Sequence, residues 1–264
     1  MTVMGDSKKP YVIAIANGKG GVGKTTSTLA IGTILAQRGH RVLFIDLDPQ
    51  GNLTLALGYK PHDMPNSSGD TPAAGTIFAD DLYGTELDNL DLIFARSLIV
   101  NEAHNVLVDP QDGSYYISRA LEVVKSLPYD FVVIDCPPAL EEVAISTLMV
   151  SDFLVIPSQA DFFSAYALKD TMNLISIVRR QGNSRLPYRI LITIFDRRNR
   201  IHHSIKNQLN HTFGSGIFKT MIEVDTNLRK TAILGFPTEV SRGVKQYRMV
   251  VDELLEYIQE IKVP

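Results

Sequence analysis

Short apolar runs alternate with helical patterns along most of the chain. Tyr11–Ala16 (YVIAIA) is apolar and ends at Asn17-Gly18, the pattern of a buried parallel strand. Residues 25–38 carry apolar positions at helical spacing, and Gly39 stands where a helix should stop. Residues 41–45 (RVLFI) read as the next strand. Strand, glycine-rich loop, helix and strand make one βαβ unit, which implies a parallel sheet. Further strands are predicted at 90–95, 131–134, 153–157 and 189–194. Helices are predicted near 115–127, 139–150, 164–181 and 244–261, the last with apolar residues at 250, 251, 254, 255, 258 and 261. Residues 59–76, rich in Pro, Gly, Ser and Asp, read as a mobile surface loop. Residues 1–10 are polar and predicted to be a flexible N-terminus. No repeat or composition break divides residues 11–264, which are expected to form a single domain.

The loop after the first strand carries the most specific chemistry. Gly18-Lys19-Gly20-Gly21-Val22-Gly23-Lys24-Thr25 fits G-x-x-x-x-G-K-[ST] and is followed by Thr26. Its glycines let the backbone wrap so that N–H groups point at phosphate oxygens. The following helix turns its positive N-terminus to the same anion. Lys24 is placed to neutralise β/γ phosphates and the Thr25 hydroxyl to ligate Mg²⁺. Phe131–Asp135 (FVVID) is an apolar strand ending in a carboxylate, the Walker B arrangement. Asp46 and Asp48 also follow a strand, and the C-terminal strand ends of a parallel sheet gather where ligands bind. Asp46, Asp48 and Asp135 are therefore expected around the γ-phosphate. The expected fold is α/β: a three-layer P-loop NTPase fold, with a central, mostly parallel, twisted sheet and helices on both faces.

Composition adds limits. The 264 residues are 45% hydrophobic, enough for a well-buried core. A single cysteine, Cys136, excludes a disulfide framework and a multi-cysteine metal site. There is no 18-residue apolar run and no basic-then-apolar leader, so a cytoplasmic protein is expected. Charge divides the chain unevenly. Residues 1–178 carry 11 Lys and Arg against 21 Asp and Glu, whereas residues 179–264 carry 15 against 8. Such asymmetry points to one face that meets a polyanion, the alternative being a solvated surface. His202, His203 and His211 have no clustered acid or cysteine beside them in sequence and read as surface residues.

These motifs together resemble the ParA/MinD family of deviant Walker ATPases, in its ParA (Soj-like) partition branch. The matching segments are KGGVGKTT (19–26), DLDPQGN (46–52), VVIDCPP (132–138), VIPSQADFFSAYAL (155–168), TIFDRRNR (193–200) and SRGVKQY (241–247). The resemblance covers nearly the whole chain from Tyr11 and is weakest over 60–115. It implies an Mg²⁺-dependent ATP hydrolase of weak intrinsic activity that forms an ATP-dependent homodimer. Lys19 occupies the position of the signature lysine, which in such proteins reaches the partner's phosphates. Asp48 would position the attacking water. Thr25, Asp46 and Asp135 would serve the metal, and Phe195, Asp196 and Arg197 would contribute adenine contacts. Arg229, Lys230, Arg242, Lys245 and Arg248 lie where relatives contact nonspecific DNA. The resemblance also implies a ParB-like or other small adaptor, a DNA or protein-organelle cargo such as a carboxysome, and nucleoid association in the ATP state. With the first strand at Tyr11, no N-terminal operator-binding domain is expected.

Two other classes share the loop. A MinD-like regulator ends in a basic amphipathic helix that lies on anionic lipid. Here Asp252, Glu253, Glu256 and Glu260 are expected on the polar side of the last helix, and no membrane partner is expected. A nitrogenase-type iron protein needs cysteines from each subunit for a cluster, which Cys136 alone does not supply.

Overall fold

The computed structural model describes residues 9–60, 82–94, 123–138, 141–229 and 241–262. Seven strands form one sheet: β1 (Tyr11–Ile15), β2 (Val42–Asp46), β3 (Leu82–Gly84), β4 (Leu90–Phe94), β5 (Phe131–Asp135), β6 (Phe153–Gln159) and β7 (Tyr188–Thr193). The longer described helices are α1 (Lys24–Gln37), α3 (Glu141–Val150), α4 (Phe162–Gln181), α5 (Arg200–Phe213) and α7 (Arg242–Lys262). Short helices α2 (Asn52–Ala56) and α6 (Thr226–Arg229) lie in the connections. The strand order is β3-β4-β2-β5-β1-β6-β7, and every pairing is parallel except β3 with β4.

Both faces of the sheet are covered, which explains the unbroken apolar strands. Ile13, Ile15, Val42 and Phe44 pack with α1 and α7 on one side. Val12, Ala14, Leu43 and Ile45 pack with α3, α4 and α5 on the other. Successive side chains of one strand thus enter opposite cores. Gly32 of α1 lies against the Phe44 ring so closely that a Cβ there would come within 2.1 Å of it. That contact lets α1 sit low on the sheet.

The predicted strands and helices recur with shifts of one to three residues. α1 ends at Gly39, whose φ of 87° suits glycine and whose N–H donates to the Ala36 carbonyl. Most of the helix predicted near 115–127, the surface loop at 59–76 and the flexible start at 1–10 lie outside the described residues. Helix α5 was not predicted. Its sequence, RIHHSIKNQLNHTF, is polar apart from Ile201, Ile205, Leu209 and Phe213, a narrow stripe at four-residue spacing of which only Leu209 is fully buried.

Candidate functional site

β1, β2 and β5 are adjacent, and their C-terminal ends meet at one edge. Register places Ile15 beside Asp135 and Asp135 beside Asp46. The glycine loop leaves β1 at this edge and enters α1. Gly23 is its last residue, with a φ of 88° that a side chain would strain. Neighbouring strands hold the loop. The Asn17 amide donates to the Pro157 carbonyl at 2.7 Å, and Asn17 Oδ1 accepts from the Lys19 N–H. Gln159 Nε2 donates to the Gly21 carbonyl, and Thr193 Oγ1 to the Val22 carbonyl.

A cavity of about 500 Å³ opens over this loop. Gly20, Gly21, Gly23, Lys24, Thr25 and Thr26 line it from one side, Asp48, Gln50 and Pro138 from another. Lys24 is buried, and its Nζ donates to the Lys19 carbonyl at 3.0 Å. Burial holds its ammonium below the usual lysine range, while Asp135, Cys136 and Asp48 oppose that shift.

The three carboxylates play different parts. Asp135 is fully enclosed. One oxygen accepts from Thr28 Oγ1 at 3.2 Å, and the Thr25 hydroxyl lies near the carboxylate and opposes the rise in its pKa. Its Oδ2 has no hydrogen-bond partner among the described residues. Burial first, then the Asp46 charge, push its pKa well above the usual carboxylate range. A buried, unpartnered oxygen beside a threonine hydroxyl suits a hard divalent cation. Asp46 is different, because protein donors take both of its oxygens. Oδ1 accepts from the Asp48 N–H and Oδ2 from the Thr54 N–H and hydroxyl, at 3.1, 2.9 and 2.7 Å. It fastens the 46–54 turn, and burial also raises its pKa. That turn presents Asp48 to the cavity, with one oxygen tied to the Gln50 N–H.

Lys19 points away from this cavity. Its Nζ lies 3.0 Å from each oxygen of Asp161 and 2.8 Å from Ser164 Oγ. Asp161 also caps α4 through the Ser164 N–H. Sequence reasoning missed Asp161 and Ser164, although D-F-F-S before an apolar helix is a capping pattern.

A second, smaller cavity of about 130 Å³ adjoins the first, with Gly23, Thr26 and Ile194 along its wall. Thr193, Ile222, Glu223, Val224, Asp225, Leu228 and Tyr247 complete it. The wall takes Thr193 and Ile194, just before the expected Phe195-Asp196-Arg197, and 222–225 after them. Phe195 is buried, Asp196 pairs with Arg198, and Arg197 turns to Glu223. Ile194 has a φ of 51°, a strained conformation for a β-branched residue.

Of the expected basic residues, Arg242, Lys245 and Arg248 form an exposed stripe over the first two turns of α7. Lys230 and the Arg229 side chain lie outside the described residues. Glu253, expected on the polar face, is instead buried and accepts from the Lys219 and Thr220 N–H groups at 2.7 and 2.8 Å. His202 and His203 brace the 196–199 turn, His202 Nδ1 accepting from the Asp196 N–H. Cys136 is buried, and burial followed by the Asp135 charge pushes its thiol up to about 12. Among the described residues no helix is long and apolar enough to cross a membrane.

A seven-stranded, mostly parallel sheet with this loop at the end of β1 defines a P-loop NTPase. A family model described as an AAA domain matches residues 10–188. The chain is 34% identical to the sporulation initiation inhibitor protein Soj of Bacillus subtilis over 248 residues, covering 92% of this chain and 97% of that protein. It is 34% identical to the chromosome partitioning protein ParA of Caulobacter vibrioides over 228 residues, covering 86% and 85%. Among solved structures, cobyrinic acid a,c-diamide synthase from Mycobacterium smegmatis, with bound ATP analogue and magnesium, superposes with a TM-score of 0.75 at 27% identity. That match covers 95% of this chain and 96% of the synthase. The chain belongs to the ParA/MinD family of deviant Walker ATPases, in its ParA (Soj-like) branch.

Proposed function

We propose that residues 11–264 act as one ATPase domain that hydrolyses Mg-ATP, dimerises on ATP and binds DNA without sequence preference. It positions a DNA or organelle cargo with a small adaptor that stimulates hydrolysis. The observation that carries this reading is the pair of lysines on one loop. Lys24 faces the 500 Å³ cavity, whereas Lys19 stands outside it at the rim of α4. One loop thus offers a charge to its own nucleotide and a second charge to a facing one.

Loop N–H groups and Lys24 hold the phosphates, and the base fits beside Ile194 in the smaller cavity. Thr25 and Asp135 would hold Mg²⁺, which would neutralise phosphate charge. Asp46 supports this site by setting the turn that carries Asp48. Asp48 orients a water for attack and accepts its proton. When hydrolysis removes the γ-phosphate, the reason for two copies to face one another is removed with it.

Charge placement on α7 supports the DNA contact. Cations at a helix N-terminus oppose the macrodipole, yet Arg242, Lys245 and Arg248 stand there, while the acids Asp252, Glu256 and Glu260 follow. A positive helix end carrying three cations favours phosphate and disfavours an anionic lipid surface along the rest of the helix. The test is a mobility shift with unrelated duplex DNA in ATP and in ADP. Binding in ATP only, lost in moderate salt, is expected. Failure to bind any DNA, together with binding to anionic vesicles, overturns the reading.

A further inference from the structure

Glu223 connects the smaller cavity to the basic surface. Its carboxylate is 4% exposed and grips two arginines that are themselves 68% and 69% exposed. Arg197 Nη2 lies 2.6 Å from Oε1, and Arg242 Nη1 lies 3.0 Å from Oε2. Gln246 Nε2 donates to Oε1 at 2.8 Å, and Gln246 Oε1 accepts from the Glu223 N–H at 2.9 Å. One buried carboxylate thus ties the 195–198 turn to the first turns of α7.

The segment around Glu223 is fastened on every side. The Phe195 N–H donates to the Ile222 carbonyl, and the Val224 N–H donates to the Phe195 carbonyl. Asp225 Oδ2 accepts from the Gly243 N–H at 2.7 Å, at the start of α7. Residues 222–225 also wall the cavity beside Gly23 and Thr26, alongside the strained Ile194. Any group that enters this cavity presses on 194 and on 222–225 together. Strain at Ile194 marks a place where the backbone is held away from its preferred conformation.

We infer that Glu223 is a positioning residue that sets Arg197 and Arg242 as a paired phosphate contact according to nucleotide occupancy of the cavity. This inference rests on the proposed nucleotide and DNA reading and assigns its regulation. Each guanidinium spends part of its donor fork on Glu223 and keeps the remaining N–H groups toward solvent. With both arginines gone the buried carboxylate would keep only Gln246, so the pair is held to 222–225. The spacing of two cations on the surface is then a property of the cavity wall. Arg197 therefore belongs with the polyanion contacts, not with the adenine contacts expected from its motif.

The test is hydrogen exchange on the full chain, with and without saturating ADP or a non-hydrolysable ATP analogue. Saturation is verified for each variant by nucleotide titration. In the wild type, nucleotide changes amide protection at both 195–198 and 242–246. In Glu223→Gln, which still accepts a hydrogen bond but carries no charge, the change at 242–246 falls to what the Asp225–Gly243 contact transmits. Arg242→Ala, at an exposed position, reduces the change at 242–246 in the same way and retains it at 195–198. In the DNA assay, Arg197→Ala and Arg242→Ala each lower the slope of log affinity against log salt by about one. Glu223→Gln lowers the ATP-to-ADP affinity ratio at least fivefold. Full retention of the 242–246 response in both Glu223→Gln and Arg242→Ala overturns the inference. If the wild type binds no DNA, the DNA reading fails alone, because hydrogen exchange still reports the coupling.

Discussion

The Lys19 ammonium sits between Asp161 and Ser164, so the cap of α4 and the first lysine of the glycine loop are one hydrogen-bonded group. A lysine held this way reaches a facing nucleotide only after it leaves Asp161. Both side chains are about a third exposed, so the ion pair itself contributes at most about 1 kcal/mol.

Lys19→Ala is expected to bind ATP and to dimerise weakly, as read by light scattering in ATP. Asp161→Asn is expected to shift ATP-dependent dimerisation to lower protein concentration, because it releases Lys19. Normal dimerisation in Lys19→Ala contradicts the reach across to the partner.

Asp161 also gives a pH prediction. Burial raises its pKa, but the Ser164 N–H and hydroxyl and then Lys19 outweigh burial and hold it below the usual value. A depressed carboxylate contributes stability above its unfolded value of about 4, and that contribution is lost as pH falls through the lower folded value. The wild type should therefore lose stability on acidification below about pH 4 more steeply than Asp161→Asn. Urea midpoints from pH 3 to 7 measure this, and parallel curves contradict it.

Asp48→Ala is expected to keep nucleotide binding and to lose hydrolysis by about 10² to 10⁴, the usual range for a positioned base. The variant should remain dimeric in ATP. Phosphate release and gel filtration read the two effects separately, and normal turnover sinks the assignment.

Tyr247 of α7 and Ser27 of α1 share a buried hydrogen bond of 2.9 Å beside the smaller cavity. Tyr247→Phe should destabilise the protein by about 1 to 2 kcal/mol, since it strands the Ser27 hydroxyl. Adding Ser27→Ala should return part of that loss. Urea denaturation of the four proteins gives the cycle, and simple additivity contradicts a direct coupling.

Gly32→Ala tests the seat of α1. Its Cβ would meet the Phe44 ring at 2.1 Å, so a loss of about 1 to 3 kcal/mol is expected from overpacking. An unchanged thermal midpoint would show that α1 can lift without penalty.

Much of the fold was legible because strands covered on both faces read as unbroken apolar runs, as 131–134 does. Glycine at 23 and lysine at 24 were equally plain, because phosphate cradles demand those residue types at that spacing. Helix α5 was less legible: Ile201, Ile205, Leu209 and Phe213 do mark one face at four-residue spacing, but polar residues surround that narrow stripe and only Leu209 is fully buried. Glu253 and Glu223 were not legible either. Their value depends on backbone N–H groups and arginines distant in sequence, which no local pattern records. The strand-end pattern alone treats Asp46 and Asp48 alike, and the resemblance gave Asp46 to the metal and Asp48 to the water; the tertiary donors add that Asp46 is held on both oxygens while Asp48 faces the cavity.

The hydrogen bond from Lys24 to the Lys19 carbonyl sets how tightly the loop can hold its guest. An arriving phosphate does not meet an idle ammonium. It replaces a carbonyl that the ammonium already serves, so the exchange releases less free energy than a new bond would. When the phosphate departs, the same carbonyl is there to receive the lysine. The resting loop is a competitor built into the chain, and it lowers the affinity for every nucleotide alike by the strength of that one bond.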